Sequence, residues 1–207
     1  MKINKPRMKN SIALTFKECI EENTFSNIYF SKSPLNYISI QDITFDSCHF
    51  NNINFSNIKL ANVDLIDCYF ENCDLSNINF SKKYIRRVVF KNCKLVGINF
   101  SETNFSDIEI IDSNCQYLNL NNAKIRNCLF TECNLDNSSF IECDIKTIEL
   151  RNNSLKQSDF LETNLNGIDF SSSSIEGIRV SMKYTKGMKI SFYQAHIICN
   201  LIGIDTI

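Results

Sequence analysis

Residues Lys91-Asn92-Cys93-Lys94-Leu95, Val96-Gly97-Ile98-Asn99-Phe100 and Ser101-Glu102-Thr103-Asn104-Phe105 state a rule in three blocks of five. Each block ends in a large apolar residue, and two places before it stands a smaller or β-branched one: Cys93, Ile98, Thr103. Extended both ways, the frame puts Phe, Leu, Ile or Val at every fifth position from Ile20 to Ile190, except Cys115 and Thr185, with no insertion or deletion that shifts it. Fourteen of the 16 phenylalanines fall on that one position. Repetition of this kind decides the architecture before any local reading.

A period of five fits neither an α-helix at 3.6 nor a strand at 2, and its second apolar position is wrong for a heptad. The minus-two spacing turns two side chains of each block to one side, as in a short extended segment. The other three positions hold turn-prone residues such as Asn77, Ser101 and Asp107, which bend a chain by bonding to its backbone. Extended pair and bend in alternation describe a coil with flat sides and corners, and stacked coils would bury the inward residues.

Blocks such as Cys73-Asp74-Leu75-Ser76-Asn77 and Ile98-Asn99-Phe100-Ser101-Glu102 resemble the repeating unit of pentapeptide repeat proteins. The resemblance covers about residues 20–190 and implies an all-β fold: a right-handed quadrilateral β-helix with four blocks per coil. Residues twenty apart should then stack, with Phe30, Phe50, Phe70 and Phe90 as one ladder of rings and Phe80 and Phe100 within another. Coils at roughly 4.8 Å each give a rod on the order of 42 Å long. The expected organisation is an N-terminal cap over residues 1–17, a β-helix over 18–190, and a C-terminal helix with dimerisation segment over 191–207.

Net charge is −1, so no general nucleic-acid binding is indicated. No apolar run approaches the length of a membrane span, and the basic start lacks an apolar signal core; a cytoplasmic protein is expected. Seven of the 10 cysteines, Cys48, Cys68, Cys73, Cys93, Cys128, Cys133 and Cys143, hold the small inward position. They are read as compact core residues rather than disulfides or metal ligands. His49 and His196 are the sole histidines, and neither sits in a nucleophile–base or metal-ligand pattern. The chain is therefore expected to be no enzyme and to need no cofactor or metal.

Two charge patterns point to the surface. Glu22, Asp42, Glu102, Glu142 and Glu162 share one phase of the twenty-residue period and should align as an acidic face, with Asp64, Asp67, Asp107 and Asp144 nearby on the adjoining side or corner. Arg86, Arg126, Lys146 and Lys186 form a basic column. Lys82, Lys83, Arg86 and Arg87 make a local cluster, with Lys83 standing where a small inward residue belongs. A buried lysine is expensive, so this block should bulge or let the side chain snorkel to water. The cluster reads as a solvent face or as a contact patch.

From Ser191 to Gly203 the pattern becomes helical, with Ser191 as cap, Gly203 as stop and Phe192, Ala195, Ile198, Cys199 and Ile202 on one face. Tyr193-Gln194-Ala195 followed by Leu201-Ile202-Gly203-Ile204 resembles the C-terminal helix of the Qnr quinolone-resistance group, as does, more briefly, the stretch Phe16–Phe30. That resemblance implies a homodimer joined end to end through the helix. It also implies a DNA-mimicking rod that binds DNA gyrase or topoisomerase IV and relieves poisoning by fluoroquinolones or natural poisons. The better-known members carry loops that interrupt the repeats; this frame has none. The alternative is a structural or toxin-immunity scaffold for another protein.

Overall fold

The computed structural model describes residues 2–8, 11–201 and 203–204. Its body is a right-handed, four-sided parallel β-helix of about eight turns. Pairing between successive coils is in a register of twenty: Ile40 on Leu60, Tyr69 on Val89 on Glu109, and Phe50 on Phe70 on Phe90. Isolated bridges such as Asn79 to Asn99 and Asn99 to Asn119 carry the same register through the less regular sides.

The corners explain the polar positions. The residue two places after the large apolar one takes φ near +55°, as at Asp67, Asn72, Asn77, Lys82 and Arg87. That left-handed region is tolerated best by Gly and by short Asn or Asp side chains. Of 24 non-glycine residues with positive φ among the described residues, fifteen are Asn or Asp. A corner every five residues and a stack every twenty make four sides.

Inside, the expected ladder is present: ring centroids of Phe30 and Phe50 lie 4.8 Å apart, Phe50 and Phe70 4.5 Å, Phe70 and Phe90 4.9 Å, all nearly parallel. The spacing is that of the strands, so each ring stacks on the coil below. Phe80 and Phe100 stack at 5.7 Å, and Phe140 and Phe160 at 4.6 Å.

The frame fails in two places near the start. Ile20 is not in a coil but in helix α1 (Phe16–Glu22), where it is exposed. The sequence Thr15-x-x-Glu18 makes a reciprocal capping box that starts this helix, and Asn23 at φ 49° ends it. The helix therefore straddles the boundary expected after residue 17. Leu35, which stacking would place on Phe55, is 96% exposed. Phe16 of α1 lies 6.2 Å from Phe55 and 4.3 Å from Phe30 in its stead. The short strand Ile12–Ala13 pairs with Ile28 and Tyr29, so residues 12–22 close the first coil. Residues 2–8 do something else: they run along the outside of the rod, where the amides of Arg7 and Asn4 donate to Asp67 and Asp107.

Lys83 is half-buried, and its ammonium reaches out to the Asn62 side chain on the preceding coil. The strand Tyr84–Lys91 pairs normally beside it. Snorkelling, not a bulge, resolves the misplaced lysine.

Candidate partner-binding surfaces

Four of the five residues expected on the acidic face are brought together, and one is not. Asp42, Glu102, Glu142 and Glu162 occupy the same corner, all exposed and all at φ between 54° and 57°. At one coil per ~4.8 Å, Glu142 and Glu162 stand about 5 Å apart along the axis and Glu102 about 10 Å further on. Glu22 is the last residue of α1 and leaves the column, because the chain there is helical.

The column is partly neutralised. Lys82, one coil below, lies 3.5 Å from Glu102, and Lys183 lies 2.7 Å from Glu162. Hydrogen bonds from Lys183 and Ser181 hold the Glu162 carboxyl below its ordinary range. Asp42 accepts from the Asn62 amide at 2.6 Å. Glu142 is exposed between them. Such cross-coil pairing is general on this rod: Lys91 meets Glu71 and Lys94 meets Asp74, each at 3.2 Å and twenty residues apart. In the basic column, Arg126 turns to the Asp144 carboxylate and its backbone carbonyl.

The cluster at 82–87 divides. Lys82 and Arg86 are exposed, but Arg87 is buried and forks onto Asp67 with bonds of 2.6 and 2.5 Å. Asp67 and Asp107 lie at the adjoining corner, one block further in sequence than the acidic column. Burial pushes the Asp67 carboxyl up, while bonds from Arg87 and the Arg7 amide and the nearby charges pull it below its ordinary value. Contiguity in sequence hid this pair; alternation at twenty, Asp67, Arg87, Asp107, was the available signal.

At the far end, the expected single helix is a turn of 3-10 helix (Phe192–Gln194) running into α2 (Ala195–Leu201). Gly203 at φ 76° ends it, with the amide of Ile204 returning to the Cys199 carbonyl. The described residues of the expected dimer face differ in their surroundings. Ile198 packs with Ile197 toward the rod core, Ala195 and Cys199 are half-buried, and Ile202 lies outside the described residues. Phe192 and its neighbour Tyr193 project instead, 89% and 85% exposed. Gln194, which the sequence marks only as part of the Tyr193-Gln194-Ala195 stretch, is buried; its amide donates to the carbonyls of Phe170 and Ser173 at 3.0 and 2.6 Å. It satisfies backbone groups that the last coil would otherwise leave open.

His49 lies between the rings of Tyr29 and Tyr69 at 5.0 and 5.1 Å, and burial lowers its pKa. A cleft of about 400 Å³ where α1 meets the turned-out Leu35 is lined by Thr15, Phe16, Pro34 and Ile38, with Lys17 and Lys32 as its charged groups. Neither place pairs a nucleophile with a base. Among the described residues there is no group of three or more His, Cys, Asp or Glu placed to hold a metal, and no helix long and apolar enough to cross a membrane.

Comparison with known families matches residues 63–136 and 113–180 to the pentapeptide repeat region and residues 39–82 to pentapeptide repeats in eight copies. No curated protein matches the chain. Among solved structures, full-length QnrB1, a plasmid-mediated fluoroquinolone resistance protein, is similar at 16% identity, over 94% of this chain and 98% of that chain, with a TM-score of 0.40. A trypsin-treated variant of it gives 18% identity, 95% and 98% coverage and a TM-score of 0.41. HetL, a pentapeptide repeat protein involved in heterocyst differentiation regulation from the cyanobacterium Nostoc, gives 16% identity, 82% and 95% coverage and a TM-score of 0.34.

Proposed function

The chain belongs to the pentapeptide repeat family, and on that premise we propose that it is a non-enzymatic, cytoplasmic rod that docks in place of DNA on the basic saddle of a type II topoisomerase. The partner is DNA gyrase or topoisomerase IV, and the consequence is protection from fluoroquinolones or natural poisons of that enzyme. The docking residues are Asp42, Glu102, Glu142 and Glu162.

One observation carries this reading. Glu102, Glu142 and Glu162 stand at left-handed corners, where most other non-glycine residues are Asn or Asp. A long side chain there costs on the order of 1–2 kcal/mol of backbone strain. Arg87, Tyr117, Glu132 and Gln157 bear it on the other corners, at most two to a corner, whereas this column bears it at Lys82, Glu102, Glu142 and Glu162, and that recurrence motivates a surface role. The pairs of Glu102 with Lys82 and Glu162 with Lys183 are no obstacle. Exposed ion pairs are worth about 0–1 kcal/mol, so they open readily for lysines and arginines that ordinarily meet phosphates. The sequence resemblance of the C-terminal segment to the Qnr group supports an end-to-end homodimer, with Phe192 and Tyr193 as the projecting contacts.

The test measures gyrase binding and ciprofloxacin-stabilised cleavage, at low and moderate salt, for the parent and for the chain with Glu102→Lys, Glu142→Lys and Glu162→Lys. Lys82 already occupies such a corner, so the triple variant should melt close to the parent. Its association should fall sharply, most visibly at low salt, where screening is weakest. A parent that neither binds the enzyme nor changes cleavage overturns the proposal. The cross-coil cations on the same corner favour the second reading in that case: a scaffold or toxin-immunity protein for a different partner.

A further inference from the structure

The corner formed by Ser47, Asp67, Arg87 and Asp107, with Glu109 beside it, is covered by the chain's own residues 2–8. The Arg7 amide donates to Asp67 at 2.8 Å. The Asn4 amide and its side chain donate to Asp107 at 3.2 and 2.9 Å. Lys5 pairs with Glu109, and the Arg7 carbonyl accepts from Ser47. Val89 and Glu109 alternate outward on strands Tyr84–Lys91 and Asn104–Ile111, yet are only 4% and 5% exposed beneath this segment.

The spacing is that of a particular peptide conformation. Asp67 and Asp107 are two coils apart, about 9.6 Å. A polyproline II segment rises ~3.1 Å per residue with three residues per turn, so residues three apart present the same side about 9.3 Å apart. Asn4 and Arg7 are three apart, with Pro6 between them to hold the backbone extended. The groove thus grasps main-chain N–H groups with two carboxylates and reads one side chain, Lys5, with a third. Its carboxylates are also held from within the rod, Asp67 by Arg87 and Asp107 by Asn127.

We propose that this corner is a binding groove for extended, proline-containing basic segments of partner proteins, and that residues 2–8 occupy it in cis as a displaceable strap. The seated segment itself defines the ligand: extended backbone, an amide donor every third residue, and a lysine or arginine facing Glu109. Most of the strap is exposed and Lys5 stays 67% exposed, so a partner's segment can exchange with it stepwise. The groove lies on a different corner from the acidic column, and its failure would leave the topoisomerase reading standing.

The experiment titrates a fluorescent peptide with the sequence of residues 2–8, Lys-Ile-Asn-Lys-Pro-Arg-Met, with the full-length protein. In the parent the tethered strap competes at an effective concentration of the order of millimolar, and the peptide should bind weakly. Lys5→Glu sets like charges against Glu109 and should tighten peptide binding at least tenfold. Adding Asp107→Asn and Glu109→Gln to that variant should return binding to the parent level. Pro6→Gly loosens the strap without touching the groove, and serves as the second release variant should Lys5→Glu impair folding. Release variants that melt like the parent but bind no better, or a gain that survives Asp107→Asn with Glu109→Gln, would sink the idea.

Discussion

The small inward side chain of each block does two jobs. It fills the gap between the large residues, and in many coils it also bonds the carbonyl of the residue twenty-three places earlier, on the coil below. Thr103 reaches Phe80 in this way at 3.0 Å, Ser138 reaches Cys115, Ser158 reaches Leu135, and Cys68 reaches Phe45 at 3.3 Å. Cysteine fits because its thiol packs as a small apolar group while still donating weakly. Burial, the largest influence on each, pushes Cys48, Cys128 and Cys143 up to about 12, so thiolate at neutral pH is scarce there. Titration with a thiol reagent should therefore count few reactive groups in the native protein and all 10 in denaturant without reductant; a count well below that in denaturant would reveal bridges. The large position is tested at Phe70, stacked between Phe50 and Phe90 and 1% exposed. Phe70→Ala should cost about 3–5 kcal/mol through the cavity it leaves, seen as a lower thermal or denaturant midpoint. A variant melting like the parent would remove Phe70 from the core.

At the scale of elements, the repeat was legible where each coil sees only its neighbours, and illegible where something from outside the period intervenes. Phe90 and Leu95 could be placed from the frame because every such residue meets the same surroundings. Leu35 could not, since its place is taken by Phe16 from α1, and nothing within the period announces a helix folding back. Ile20 obeyed the period by accident of a capping-box helix. The candidate surfaces suffered from the same cause. Arg87 looked like part of a basic cluster because sequence displays its neighbours at 82–86, whereas the rod hands it Asp67, twenty residues away. That pair links two coils, and its side chains are 9% and 7% exposed. Asp67→Asn keeps an oxygen for the Arg7 amide but leaves a buried guanidinium without its counter-charge, a change that typically costs about 3–5 kcal/mol. The pH dependence follows from the depressed carboxyl. Its contribution is fully present above the unfolded value of about 3.9 and is lost as pH falls through the lower folded value. The stability gap between parent and Asp67→Asn should therefore be widest near neutrality and close in acid, as followed by denaturant melts from pH 7 to pH 2. A gap that does not change with pH would assign the loss to packing rather than to charge.

For the whole molecule, a stack of coils has two ends, and each must be closed or joined. The first end is closed by Phe16 and the strand Ile12–Ala13, which supply a ring and a row of backbone partners. At the other, Gln194 caps carbonyls and Ile197 and Ile198 cover the core, a closure that uses neither Phe192 nor Tyr193. Two adjacent aromatic rings, 6.1 Å apart and almost fully in water, are therefore surplus to capping. Surplus apolar surface at the tip of a rod suits a contact with itself, since one self-complementary patch closes under two-fold symmetry without forming a fibre. Two rods joined there would span on the order of 80 Å at the coil spacing, the length of about 25 base pairs at ~3.4 Å each, and would extend the acidic corner across both halves. Small-angle scattering should give the parent a maximum dimension about twice that of the chain with Phe192→Asp and Tyr193→Asp. The double variant should sediment as a monomer yet melt close to a monomeric reference, because neither ring supports the coil beneath it. If the parent is monomeric at micromolar concentration, or the double variant keeps the parent's length, the tip is not the joint, and any topoisomerase docking would have to be made by a single rod of half that span.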